Sequence, residues 1–158
     1  MKTFFSGLRK VETAMAVISM SAFTVVAFLQ VTFRVFLHNP LGWSEELCKF
    51  LFIWCTFIGA ILVSADNAHF CVDFFVTKCS PFVQKILKYL SFVLVALFSV
   101  ILIYFGIKLM LSNINRISPA MGIPMYYIYT IFPINGILVI LHLIESIWKD
   151  AKSAGTEV

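Results

Sequence analysis

Three side chains in mid-sequence, Asp66, His69 and Asp73, are spaced by three and four residues. One helix would carry all three on one face, the arrangement a metal site or a proton relay requires. A second feature is the adjacent pair Glu45 and Glu46, since carboxylates in membrane proteins often hold a coupling cation or a proton. His69 and His142 make a third, two imidazoles that could ligate one haem iron axially. Each has a plainer counterpart. A bound ion takes three or four ligands, and the chain near Asp66 offers no further pair. Those residues then read as the polar exit of a helix, followed by an interfacial segment whose Cys71, Val72, Phe74, Phe75 and Val76 dip into lipid. A histidine at a helix end is far more often interfacial than a ligand, so no metal and no cofactor is expected. The four cysteines, Cys48, Cys55, Cys71 and Cys79, contain no CxxC pair. Cys48 and Cys55 would share a helix face about two turns apart, too far for a disulfide, which disfavours thiol redox chemistry. There is no nucleotide-binding glycine loop and no GxSxG.

Whatever these residues do, long apolar helices must position them. Of 158 residues, 61% are apolar and 13% charged, whereas soluble domains average about 25% charged. The apolar residues fall into runs of bilayer-spanning length, roughly 17 to 25 residues. The expected fold is therefore an all-α membrane protein of one domain, with four transmembrane helices and short interfacial segments. The spans are read at about 12–36, 46–65, 86–111 and 125–147. The first is longer than the apolar core of a signal peptide and ends in "LQVTFRVFLHNP", so it is kept as a permanent helix. Ser44 is expected to cap the second, with Glu45 and Glu46 in its first turn and Glu45 four residues before Lys49 in the favourable order. Trp43 suits the bilayer interface. Pro133 lies inside the fourth span and should kink it or free a backbone carbonyl.

Both termini are expected on the cytoplasmic side. That orientation places Lys2, Arg9, Lys10, Lys78, Lys85, Lys88, Lys149 and Lys152 inside, and Arg34, Lys49, Lys108 and Arg116 outside. Eight against four satisfies the positive-inside rule. It also accounts for the net charge of +4, so no nucleic-acid partner is needed.

No span carries an ionisable residue at its centre, where a solute or ion carrier normally needs polar groups or a broken helix. Glu12 and Glu145 read as ordinary helix-end charges on the cytoplasmic side. Glu45 and Glu46 stand beside an interfacial turn where ionisation is cheap, so capping and pairing with Arg34 or a partner is favoured over ion carriage. Thr56, Ala60 and Ser64, with Gly59 beside them, form a small-residue face that lets another helix approach closely, in this chain or a partner. Such a bundle is more easily understood as a subunit than as a complete machine. Two rivals stay open: a small proton-coupled carrier working as a dimer, and a haem or quinone redox subunit.

The stretch "QVTFRVFLHNPLGWSEELCKFLFIWCTFIGAILVSADNAHFCVDFF" resembles the signature region of the small membrane subunit of TRAP transporters, the DctQ-like family. The resemblance rests on Gln30, Arg34, Trp43, Glu45, Glu46, Trp54, Gly59, Ala60, His69 and Asp73. "SPAMGIPMYYIYTIFPINGILVILHLIE" is similar to that family's final helix, with Pro133 in its "G.P...Y...P..G" pattern. Two departures stand out: Val35 where the family often has tyrosine, and cysteines at Cys48 and Cys71. The resemblance implies a bacterial inner-membrane component of a sodium-driven transporter that takes up an organic acid, such as a C4-dicarboxylate or sialic acid. Its implied partners are a large, DctM-like membrane subunit that carries the transport sites, a periplasmic solute-binding protein, and membrane lipid. The small subunit is then a support and not an enzyme, and the residues named above are structural or partner contacts.

Overall fold

In the computed structural model, residues 2–36, 38, 41–65 and 81–154 are described. His69 and Asp73, with Asp66, Cys71 and Cys79, lie outside the described residues.

The described chain is helical, in the order α1 (Lys2–Phe36), α2 (Gly42–Ala65), α3 (Pro81–Ser112), α4 (Met125–Tyr129) and α5 (Ile131–Ala154). Four stretches are long and apolar enough to cross a membrane: Phe5–Phe36, Gly42–Ala65, Phe82–Ser112 and Met125–Trp148. Helix α1 starts well ahead of position 12, because nothing between Lys2 and Lys10 except Gly7 opposes helix. Helix α3 starts at Pro81, since a first helical residue needs no amide hydrogen and proline's fixed φ suits that position.

Ser44 is not the cap of α2. The helix begins at Gly42, and the Ser44 hydroxyl donates back to the Leu41 carbonyl at 2.8 Å. Its side chain is fully enclosed, and a local acceptor is the cheapest way to bury a hydroxyl.

Pro133 acts as expected on the last span, but the interruption appears a turn earlier. Lacking an amide hydrogen, Pro133 cannot bond to Tyr129, and the helical run divides at Thr130 into α4 and α5. Thr130 stays near helical geometry, at φ −61° and ψ −23°. Backbone bonds continue on both sides, Thr130 N–H to Tyr126 O at 3.1 Å and Ile134 N–H to Thr130 O at 3.3 Å. The result is a break in the helical run inside one crossing.

The helices stand in a chain of neighbours: α1 packs along α2, α2 along α5, and α5 along α3. Among the described residues neither α1 nor α2 packs extensively along α3. The core lies where α2 and α5 meet, at Ile58, Ile61, Ala65, Ile131, Val139 and Leu143. Asn135 donates from α5 to the Phe57 carbonyl of α2 at 2.6 Å, and the Phe57 and Phe132 rings meet edge to face with centroids 4.7 Å apart. Helix α3 buries Phe92, Ser99 and Gly106, one residue in every seven, as a left-handed helix pair requires.

Glycine permits that α3–α5 contact. A Cβ on Gly136 would lie 2.6 Å from Ile103 Cγ1 and 2.8 Å from the Ser99 carbonyl oxygen. One on Gly106 would lie 2.8 Å from Phe132 Cβ and 2.9 Å from Pro133 Cδ. The small-residue face expected on α2 is different, because a Cβ on Gly59 would meet nothing within 4 Å and Thr56 and Ala60 are exposed. Gly136→Ala is therefore expected to destabilise the chain by about 1–3 kcal/mol through overpacking. Gly59→Ala should not destabilise it. Thermal unfolding of the two variants in detergent tests the contrast; equal midpoints would refute it.

Candidate functional site

The described polar groups gather at the two ends of the bundle. At one end α2 begins and the segment from α3 to α4 turns back. There Arg116 and Ser118 pair with Met125 and Ile123, through Ser118 N–H to Ile123 O and Met125 N–H to Arg116 O, both 2.9 Å. Gly122 closes the turn at φ +67°, a conformation glycine adopts without a Cβ penalty.

Glu46 anchors this turn. Its Oε2 accepts from the Ser118 hydroxyl, from Ala120 N–H at 3.0 Å and from Met121 N–H at 3.1 Å. Three converging donors match a carboxylate, which accepts only, and charge-assisted bonds are the stronger kind. Glu45 does something else. It pairs with Lys49 at 2.8 Å, the predicted i,i+4 pair, with both side chains about two-thirds exposed. Neither acid forms an ion pair with Arg34 among the described residues. The adjacent acids are thus divided between a surface pair on one helix and an anchor for a loop more than seventy residues away.

The other end joins the start of α1 to α5, which places both described chain ends on the same side of the bundle. Glu12 is not an ordinary helix-end charge: it is 4% exposed and faces a fully enclosed His142. His142 Nε2 lies 3.0 and 3.1 Å from the two Glu12 oxygens. An imidazole nitrogen can donate to a carboxylate or accept from a carboxylic acid, so Nε2 and the Glu12 carboxyl are matched partners in either arrangement. Nδ1 stands 3.6 Å from Glu145 Oε2, beyond hydrogen-bond length. The Phe5 ring is tilted against the imidazole, with centroids 6.1 Å apart. With Nε2 committed to Glu12, His142 is a helix-to-helix clamp, which counts against the axial-ligand reading.

Of the other predicted positions, Gln30 and Trp54 are half-buried on α1 and α2, Arg34 is exposed, and Trp43 is 42% exposed at the start of α2, as an interfacial tryptophan should be. Among the described residues, no group of three or more His, Cys, Asp or Glu side chains could hold a metal ion. Sequence reasoning missed Asn135, Ser118 and the Glu12–His142 pair. A carboxylate on the inward stripe of α1, in register with half-buried Phe5, Ser19 and Phe23, was the available signal for the last.

These features define a small, all-helical, multi-pass membrane protein. Residues 23–153 match the family described as Tripartite ATP-independent periplasmic transporters, DctQ component, and the chain belongs to that family. It is 28% identical over 139 residues to a TRAP transporter small permease protein of Haemophilus influenzae, covering 88% of this chain and 86% of that one. It is 25% identical over 146 residues to the sialic acid TRAP transporter small permease protein SiaQ of Vibrio cholerae, covering 92% and 84%. It is also 29% identical over 125 residues to the sialic acid TRAP transporter permease protein SiaT of another H. influenzae strain, covering 77% of this chain but 20% of that longer one. The chain is thus a small TRAP permease subunit of the bacterial inner membrane, a transport component and not an enzyme.

Proposed function

We propose that this chain is the fixed supporting subunit of a sodium-driven TRAP transporter for an organic acid, packed against a large permease that carries solute and sodium. The observation that carries the reading is the use made of the described acids. Glu12 and Glu46 are consumed in holding helices and a loop together, and Glu45 in a surface ion pair. A carrier needs its polar groups near the bilayer centre, at a broken helix or a repeat interface. The likeness to one-fifth of the longer SiaT permease supports a large-permease partner, since a related segment there is continuous with further permease sequence. Cytoplasmic termini follow from the distribution of cations, and the Glu46-anchored turn then faces the binding protein. The face of α2 that carries exposed Thr56 and Ala60 beside half-buried Gly59 would receive a partner helix.

Uptake in proteoliposomes under an imposed sodium gradient, with the binding protein present, tests the reading. The chain alone is expected to transport nothing and the pair with its large permease to transport. Uptake by the chain alone would overturn the supporting role. Replacing Glu45 and Glu46 together by Gln should weaken assembly or docking and leave the sodium-to-solute ratio unchanged; an altered ratio would place ion coupling in this subunit.

A further inference from the structure

The imidazole of His142 stands between two carboxylates, one on each helix of the clamp. Its Nε2 lies 3.0 Å from Glu12 Oε1 on α1, and its Nδ1 lies 3.6 Å from Glu145 Oε2, one turn on along α5. The ring is fully enclosed, and Nδ1 has no hydrogen-bond partner. Ionised carboxylate oxygens and a bare imidazole nitrogen are all acceptors, so each of the two contacts needs a hydrogen of its own. One hydrogen cannot serve both. If it stands between the ring and Glu12, the Nδ1 lone pair faces an oxygen of Glu145 in a site without water to relieve it. If it moves to Nδ1, the bare Nε2 faces Glu12 and α1 is pushed away. A second hydrogen ends the competition, and the Glu145 contact then needs to close by only about 0.6 Å to reach ordinary bond length. Whether Nε2 or the Glu12 carboxyl holds the other hydrogen does not alter the count.

We propose that Glu12, His142 and Glu145 form a proton-dependent latch, which takes one proton from solvent as α1 closes on α5 and returns it when α1 lets go. The proton ends on Nδ1 facing Glu145, and no bond between heavy atoms changes. The latch is therefore closed at low pH and loosens as pH rises. Other groups at this end keep their charge through that change. Arg9, one turn before Glu12, has an enclosed Nε, and Lys85 and Lys88 lie in the first turns of α3. These cations oppose an added proton, but the two carboxylates stand directly against the ring. The last described turn of α2, residues 62–65, carries no titratable side chain.

The test follows the full-length chain in an uncharged detergent from pH 6 to pH 8.5, around the range in which imidazole gains and loses its charge. Trypsin cleavage after Arg9 and Lys10, normalised at each pH to a peptide substrate, reads the release of α1. Cleavage is expected to speed up several-fold as pH rises, by no more than about tenfold per pH unit for one proton. Glu12→Gln brings a hydrogen on its amide at every pH and should flatten the profile with α1 still held. Glu145→Gln should flatten it too, since its amide can donate to a bare Nδ1. His38→Gln, on the exposed end of the bundle opposite the latch, should leave the profile as it is. Nitrogen-15 spectra of the histidine-labelled, unmodified chain should show hydrogen on Nδ1 of His142 at pH 6 and its loss as cleavage rises. A flat profile in the unmodified chain, a bare Nδ1 at pH 6, or a pH dependence that survives both glutamine variants would overturn the latch.

Discussion

Glu46→Ala is expected to destabilise the purified chain by about 3 kcal/mol and to release the turn between α3 and α4. Hydrogen bonds to a charged group contribute about 1.5–3 kcal/mol each, and Glu46 accepts three, from the Ser118 hydroxyl and the amides of Ala120 and Met121. The sum is discounted because Ala120 is exposed, so its amide finds water once the carboxylate is gone. Ser118 is not exposed, and its hydroxyl is left dry, which costs more. Hydrogen exchange read on residues 113–124 gives a direct measure, with the amides of Ala120 and Met121 losing protection before any helix does. Glu46→Gln should recover part of the loss, since its amide oxygen still accepts. Glu45→Gln should leave both the exchange pattern and the unfolding midpoint unchanged, because the Glu45–Lys49 pair lies on the surface of one helix. Equal effects of Glu45 and Glu46 replacements would show that the two acids act through their shared charge and not through the turn.

That division explains what could be read in advance. Helical periodicity is local, so the spans, the i,i+4 pair of Glu45 with Lys49 and the helix-breaking effect of Pro133 are all written within a few residues of where they act. The partners of Glu46 and Glu12 are not. Ser118 lies 72 residues from Glu46 and His142 lies 130 residues from Glu12, and spacing along a helix carries no information about which element stands opposite. A carboxylate near a helix end therefore reads as solvated until the neighbouring helix is known. The small-residue face of α2 meets the same limit, since its spacing does not say whether the helix it receives belongs to this chain or to a partner. Thr56, Ala60 and Ser64, with Gly59 beside them, have the spacing of a helix contact, while among the described residues the close approach is made at Gly106 and Gly136. Their helices pack through the seven-residue repeat of Phe92, Ser99 and Gly106 on α3, a signal present in the sequence but hidden among larger apolar residues.

Removing either member of the Glu12–His142 pair is expected to have the largest single effect on the fold. Both side chains are nearly dry, 0% exposed for His142 and 5% for Glu12, and deleting one partner leaves the other buried and unpaired, which costs about 1–3 kcal/mol for a neutral group and about 3–5 kcal/mol where a charge is left behind. The consequence is specific to α1. Among the described residues that helix packs mainly along α2, and its most apolar stretch contains no described residue buried within the chain, so the clamp is what fixes its first turns against α5. Glu12→Ala should free the start of α1 to exchange and to proteolysis while leaving the α3–α5 contact intact. His142→Ala should do the same and also remove the surface on which the Phe5 ring rests. The double replacement should cost less than the sum of the two, since no buried polar group is then left without its partner. A double-mutant cycle on unfolding in detergent measures the difference. Strict additivity would mean that Glu12 and His142 each act through other neighbours, and α1 would then be held by its packing on α2 and not by the clamp.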